Sequence, residues 1–339
     1  MNKESMRERR TIPFAFKLFA GLLGFVAMFL IAMVSGAAKI SVRDVWLALS
    51  SPAAGDAILL IREIRLPREI AGILVGAALA VAGAIMQGLT RNPLADPGLL
   101  GLTAGANAAL ALTMALLPSA NSFSLMVAAM MGAAGGAILV LGIGSLQKGG
   151  LSPLRLVLAG VAVHSFLYAV AQGIGLICKI SKDVSMWTAG GLIGTTWGQL
   201  QVIAPFIIAG MLIALLLSRQ LTILSLSEEA AVGLGQKTKR VKTVLFVVII
   251  LLTGASVALI GNMAFIGLMI PHIVRAMVGT DYRFVIPMSA IAGASFMLLA
   301  DTLGRVINAP FETPVVAIVT VMGLPFFLVI VRKGGRAFT

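Results

Sequence analysis

Charge is what this sequence has least of. Asp, Glu, Lys and Arg make up 12% of its 339 residues, about half of the roughly 25% that soluble domains carry. Acid is the scarcer sign, with 13 Asp and Glu against 26 Lys and Arg. Cysteine occurs once, at Cys178, which excludes an internal disulfide. The two histidines, His164 and His272, stand alone, without Cys or carboxylates at ligand spacing, so no bound metal is predicted. No nucleophile–base arrangement, carboxylate pair or phosphate loop occurs in the polar segments. Gly235-Gln236-Lys237-Thr238 lacks the Gly that a nucleotide-binding loop places directly before its Lys. The chain therefore reads as a non-enzyme, with no cofactor of its own.

What fills the space is apolar. Hydrophobic residues reach 59%, and the mean hydropathy is +1.03. A soluble fold must still cover itself with polar groups, and this chain has too few to do so. Lipid removes that requirement. An all-α membrane protein follows, and the 37 glycines agree, since Gly is more frequent in membrane helices than in soluble ones. Spanning the hydrocarbon takes about 20 apolar residues. Runs at 14–38, 70–89, 98–118, 123–146, 153–177, 201–218, 284–303 and 314–331 meet that length. The run from Val241 to Val278 is too long for one span and divides at the turn signal Gly261-Asn262. About ten spans result. Gly72/Gly76, Gly101/Gly105 and Gly132/Gly136 have the spacing of close helix packing.

The net charge of +13 does not form one stripe, as a nucleic-acid footprint would. Basic residues fall between the apolar runs and mark the cytoplasmic side. Lys3, Arg7, Arg9 and Arg10 put the N-terminus inside; an even number of spans returns the Arg332, Lys333, Arg336 tail to the same side. One outside segment breaks the trend, with Lys39, Arg43, Arg62, Arg65 and Arg68.

The loops hold the remaining information. Arg65-Leu-Pro-Arg68 opens the second span, where guanidiniums either snorkel at the interface or dock an acidic protein. The stretch Arg91 to Gly98, with two prolines, forbids a continuous helix. Ser225–Lys242 is the longest polar inside loop. Within it Ser227 is placed to cap a short helix with Glu228 and Glu229 in its first turn, continuing through Ala230 and Ala231 and ended by Gly233 and Gly235. Asp301 and Arg305 lie one helical turn apart, spaced to pair.

Taken in order, these segments resemble the FecCD-type permease subunits of iron-siderophore/vitamin B12 ABC importers, with their BtuC-like fold. The resemblance rests on RLPR at 65–68, GAALAVAGAIMQGLTRNPLADPGLLGLTAGA at 76–106, LSEEAAVGLG at 226–235, FIGLMIPHIVRAMVG at 265–279 and ADTLGR at 300–305. It implies one transmembrane permease domain over 1–339, with a cytoplasmic coupling loop at about 219–241. It implies a second permease copy or related permease, cytoplasmic ABC ATPase subunits that bind ATP and Mg, and an extracytoplasmic binding protein. Arg65, Arg68 and Arg305 match arginines that dock the binding protein. Ser227, Glu228, Glu229, Ala230, Ala231, Gly233 and Gly235 match the segment that seats in the ATPase. The implied cargo is a ferric siderophore, with haem or cobalamin as alternatives; the competing class is an ion-coupled secondary transporter, for which Asp301 is the candidate carrier. The implied location is the bacterial cytoplasmic membrane, with both termini inside. The sequence departs from the family at Glu312-Thr313-Pro314 and at Gly261-Asn262.

Overall fold

The computed structural model describes residues 13–36, 40–51, 55–145 and 153–332, and no strand occurs among them. Lys3, Arg7, Arg9, Arg10, Lys39, Lys333 and Arg336, which entered the charge argument, lie outside the described residues. In chain order the helices are α1 (Phe14–Val34), α2 (Val42–Ser50), α3 (Asp56–Leu60), α4 (Leu66–Thr90), α5 (Leu102–Leu116), α6 (Ser122–Ser145), α7 (Pro153–Ile177) and α8 (Ser181–Ala189). There follow α9 (Trp197–Leu216), α10 (Ser218–Leu226), α11 (Glu228–Gly233), α12 (Thr238–Ile260), α13 (Ile266–Val278), α14 (Tyr282–Val306) and α15 (Val315–Arg332). Seven helical segments are long and apolar enough to cross a membrane, and α5, α13 and α15 are three shorter apolar helices. Together they account for the ten spans expected.

Several boundaries differ from the sequence reading. The second span begins at Asp56, not at residue 70, because a π-helical turn at Ile61–Arg65 joins α3 to α4 without a break. Pro67 lacks an N–H, and it sits at the point where that wider turn returns to α-helix. Arg65 and Arg68 therefore belong to a continuous helical rod instead of the loop before it. The third span starts at Leu102, since Pro97–Leu100 forms a 3₁₀ turn that ends on left-handed Gly101. The polar loop ending at Lys242 is shorter than expected, because Lys239, Arg240 and Lys242 already belong to α12. The Gly261-Asn262 break is found where expected, with Gly261 capping α12 at φ +76°.

α4 is the hub. It is buried along most of its length and packs on α14, α13, α12 and α9, whereas α1 and α7 bury little of themselves. Hydrophobic drive is weak between helices in lipid, so close approach of backbones must supply the contact. Gly76 of α4 lies against the Gly293 carbonyl of α14, and Gly105 of α5 against that of Gly132 in α6. A Cβ at either glycine would overlap backbone, which explains two of the glycine spacings seen in the sequence.

α13 is the exception to a simple bundle. Its 13 residues reach only about 20 Å, against roughly 30 Å of hydrocarbon. Non-helical backbone at such depth is tolerated when protein covers it, and Ile266 to His272 are all buried.

Candidate functional site

Polar groups collect in three places: the two ends of the α4–α14 pair and one face of α7. At the first end, Arg68 on α4 grips Asp301 on α14 through Nε and Nη2 at 2.9–3.1 Å. Its Nη1 reaches both carboxylate oxygens of Glu312 at 2.9 Å. Arg305 donates to Glu69 Oε1 at 2.5 Å and lies 3.1 Å from Asp301 Oδ2. The pairing of Asp301 with Arg305, expected from their spacing, is thus present. Arg65 and Arg305 also turn to the end of α1, donating to the carbonyls of Met33 (2.5 Å) and Ser35 (3.3 Å). Helix C-termini leave carbonyls unsatisfied, and guanidiniums are suited to them. Arg65 and Arg305 are only 6% exposed. The structure thus brings all three sequence-selected arginines together, as internal struts. Glu69, which completes the cluster, was missed in the sequence; its signal was its position one residue after Arg68 and one turn after Arg65.

At the other end, α9 is followed by α10 and α11, two short helices set at an angle by extended Ser227. Ser227 Oγ accepts from Ala230 N at 2.9 Å, the cap expected of it. The Glu229 carboxyl is held below its ordinary range by hydrogen bonds from its own backbone N–H and from the Ser227 hydroxyl. Glu228 pairs with Lys242 at 2.7 Å. Ala231 is buried, and its carbonyl accepts from Gln236 N at 2.9 Å, folding the chain back after Gly233 and left-handed Gly235. Leu226, Val232 and Leu234 are exposed around this short helix.

α10 itself was not foreseen. Its Thr222 accepts from Tyr282 N at 2.9 Å, and its hydroxyl lies 3.1 Å from both Ser218 O and Asp281 Oδ1. Asp281 caps α14 through Arg283 N, and the hydrogen-bonded Arg283 guanidinium holds its carboxyl below the usual range. A cavity of about 280 Å³ opens here, lined among others by Gln87, Arg91, Thr222, His272, Arg275 and Tyr282. On the connection from α4 to α5, Asp96 Oδ1 accepts from Gly98 N at 2.7 Å; burial raises its carboxyl pKa.

The third place is α7. His164, Ser165, Tyr168 and Gln172 are exposed and share one arc of the helix, with the His164 and Tyr168 rings stacked at 6.2 Å. Ala159, Val163 and Ala171 are buried on another arc, while Leu158, Phe166 and Val170 supply an exposed apolar face. Polar groups in the middle of a span are costly against lipid and face a bundle interior or water. The spacing 164, 168, 172 carried this signal in the sequence, where His164 was weighed as a lone histidine. Among the described residues, no three His, Cys, Asp or Glu side chains gather as a metal site.

A model of the FecCD transport family matches residues 24–333. The chain belongs to that family. Among its relatives, the iron(3+)-hydroxamate import system permease protein FhuB of Bacillus subtilis is 42% identical over 328 residues, covering 96% of this chain and 85% of that one. The hemin transport system permease protein HmuU of Yersinia pestis is 36% identical, over 92% of this chain and 95% of that one. A solved metal-chelate-type ABC transporter in an inward-facing conformation superposes with a TM-score of 0.81 at 27% identity, over 95% of this chain and all of that one. The chain is accordingly a multi-pass membrane permease of the importer type, and the relatives' cargoes range over several iron chelates and haem.

Proposed function

We propose that this permease carries a ferric siderophore, of hydroxamate type, across the bacterial cytoplasmic membrane, energised by separate ATPase subunits. The observation that carries the reading is the 42% identity to an iron(3+)-hydroxamate permease along nearly the whole chain. The polar face of α7 supports it, since it needs water or a second permease copy beside it. In this reading two permeases enclose the path, and the His164–Gln172 faces line it. The α10–α11 end lies in the cytoplasm with both termini, and Leu226, Val232 and Leu234 seat in the ATPase. The arginine end faces outward. A binding protein's carboxylates would reach Arg68 first, by exchanging with Glu312, which is 36% exposed.

The ion-coupled alternative loses its carrier, because Asp301 is held by both Arg68 and Arg305. Uptake of labelled ferric hydroxamate, catecholate and citrate chelates, haem and cobalamin in cells lacking the gene tests the cargo. Loss of hydroxamate uptake, restored by the gene, is expected. Undiminished hydroxamate uptake with loss of another cargo overturns the assignment. Replacing Glu228 and Glu229 by Lys should leave hydrolysis and uptake uncoupled; normal uptake would remove the segment's role.

A further inference from the structure

α13 carries Pro271 in its interior. Proline has no N–H, so the carbonyl four residues earlier, that of Gly267, receives no bond from the helix, which is the defect at which prolines bend helices. A carbonyl left without a donor inside a membrane is costly. Gln87 of α4 supplies the missing donor: its Nε2 lies 3.4 Å from Gly267 O and 3.1 Å from Leu268 O. At the same level Gly83 meets Gly267 backbone to backbone, and the Pro97 ring closes over it.

The other end of the Gln87 amide is also held. Its Oε1 accepts from Arg275 Nη2, and Arg275 Nη1 lies 3.5 Å from the Tyr282 hydroxyl. The Tyr282 ring rests on Gly88, where an added Cβ would come within 2.8 Å of it. Tyr282 N donates to Thr222 on α10. These contacts thus lead, through the backbone and ring of Tyr282, from the short helices of the coupling segment to the proline bend buried in the bundle. The Gln87–α13 and Tyr282–Thr222 links are neutral and exchange with water at low net cost, about 0.5–1.5 kcal/mol each, while the two Arg275 links are charge-assisted and stronger. The 280 Å³ cavity beside them gives these side chains room to shift.

We infer that Thr222, Tyr282, Arg275 and Gln87 form a relay that transmits displacement of α10 to the Pro271 bend of α13, with Gln87 holding the bend in place. The relay rests on the reading of the chain as an ATP-driven permease and deepens it: these are positioning residues for transport. The bend is the element with two arrangements, clamped or released, that a coupling pathway requires.

The test uses the complete complex in proteoliposomes, measuring uptake per ATP hydrolysed. Thr222→Val, which keeps shape and loses the hydroxyl, is expected to lower that ratio about tenfold, an ordinary size for coupling between sites; Thr222→Ser is expected to restore it. In a Cys178→Ser background, spin labels at Met277 on α13 and Arg219 on α10 should change separation when ATP binds, and Thr222→Val should abolish the change. Should the valine variant fail to accumulate, Tyr282→Phe keeps the ring on Gly88 and is expected to lower the same ratio. A wild-type ratio together with a wild-type distance change in these variants overturns the relay. A wild-type complex without ATP-driven uptake instead sinks the importer reading, so the two failures are told apart.

Discussion

α4 and α14 are tied together at both ends, by opposite chemistry. At the arginine end the ties are ion pairs, largely buried, among α4, α14 and the segment before α15, with α1 held through its carbonyls. At the α10 end neutral hydrogen bonds of Gln87 and Tyr282 alternate with charge-assisted ones of Arg275 beside a cavity. Removing one partner of a buried pair strands the other charge, which resists change strongly. A neutral hydrogen bond is exchanged far more readily. The first end is the harder to loosen.

The comparison can be broken most forcefully at Asp301. Asp301→Ala leaves Arg68 and Arg305 short of a carboxylate and should destabilise the detergent-solubilised protein by about 3–5 kcal/mol, read as loss of the folded fraction in a thermal scan. A shift no larger than that of surface variants would mean that the corner is solvated and not a clamp. Gln87→Leu, at the opposite end, should cost about 1–3 kcal/mol by leaving the Gly267 carbonyl without a donor, while surface expression is retained. If it matched Asp301→Ala, the contrast between the ends would fail.

Acid sharpens the same contrast. The Asp281 carboxyl is depressed in the folded chain, so its contribution is present above the ordinary carboxylate range and is lost as pH falls through the depressed value. Asp281→Asn should flatten that part of the stability–pH curve; an unchanged curve removes Asp281 from the joint. The smallest effect belongs to Glu312, whose pair with Arg68 is partly exposed. Glu312→Gln should cost under about 1 kcal/mol, and its effect should shrink in high salt; a loss as large as that of Asp301→Ala would show that both acids are equally buried in function.

The sequence made the spans, the Ser227 cap and the Asp301–Arg305 pair legible because each depends on local spacing. Hydrophobic run length, a capping side chain and a one-turn offset are properties of a few consecutive residues. The α3–α4 join was not legible: Arg62, Arg65 and Arg68 look like a polar loop until their partners at residues 47–51, 33 and 301 arrive from elsewhere in the chain. Gln87 was illegible for the same reason, since its task is set by a proline 184 positions away (271 − 87). Arg65 and Arg305 show the limit most sharply. Their identity suits a docking surface, and only the fold shows that both are 6% exposed and bonded to the Met33 carbonyl, Glu69 and Asp301.

That corner has an electrical consequence. Three guanidiniums (Arg65, Arg68, Arg305) stand with three carboxylates (Glu69, Asp301, Glu312), so the group sums to zero. Carrying one elementary charge through the membrane field costs about 2.3 kcal/mol per 100 mV. A block of zero net charge that shifts as a unit along the field does no such work, and tilting it moves only a dipole. With its formal charges balanced, this end should feel the membrane voltage far less than three unpaired arginines would.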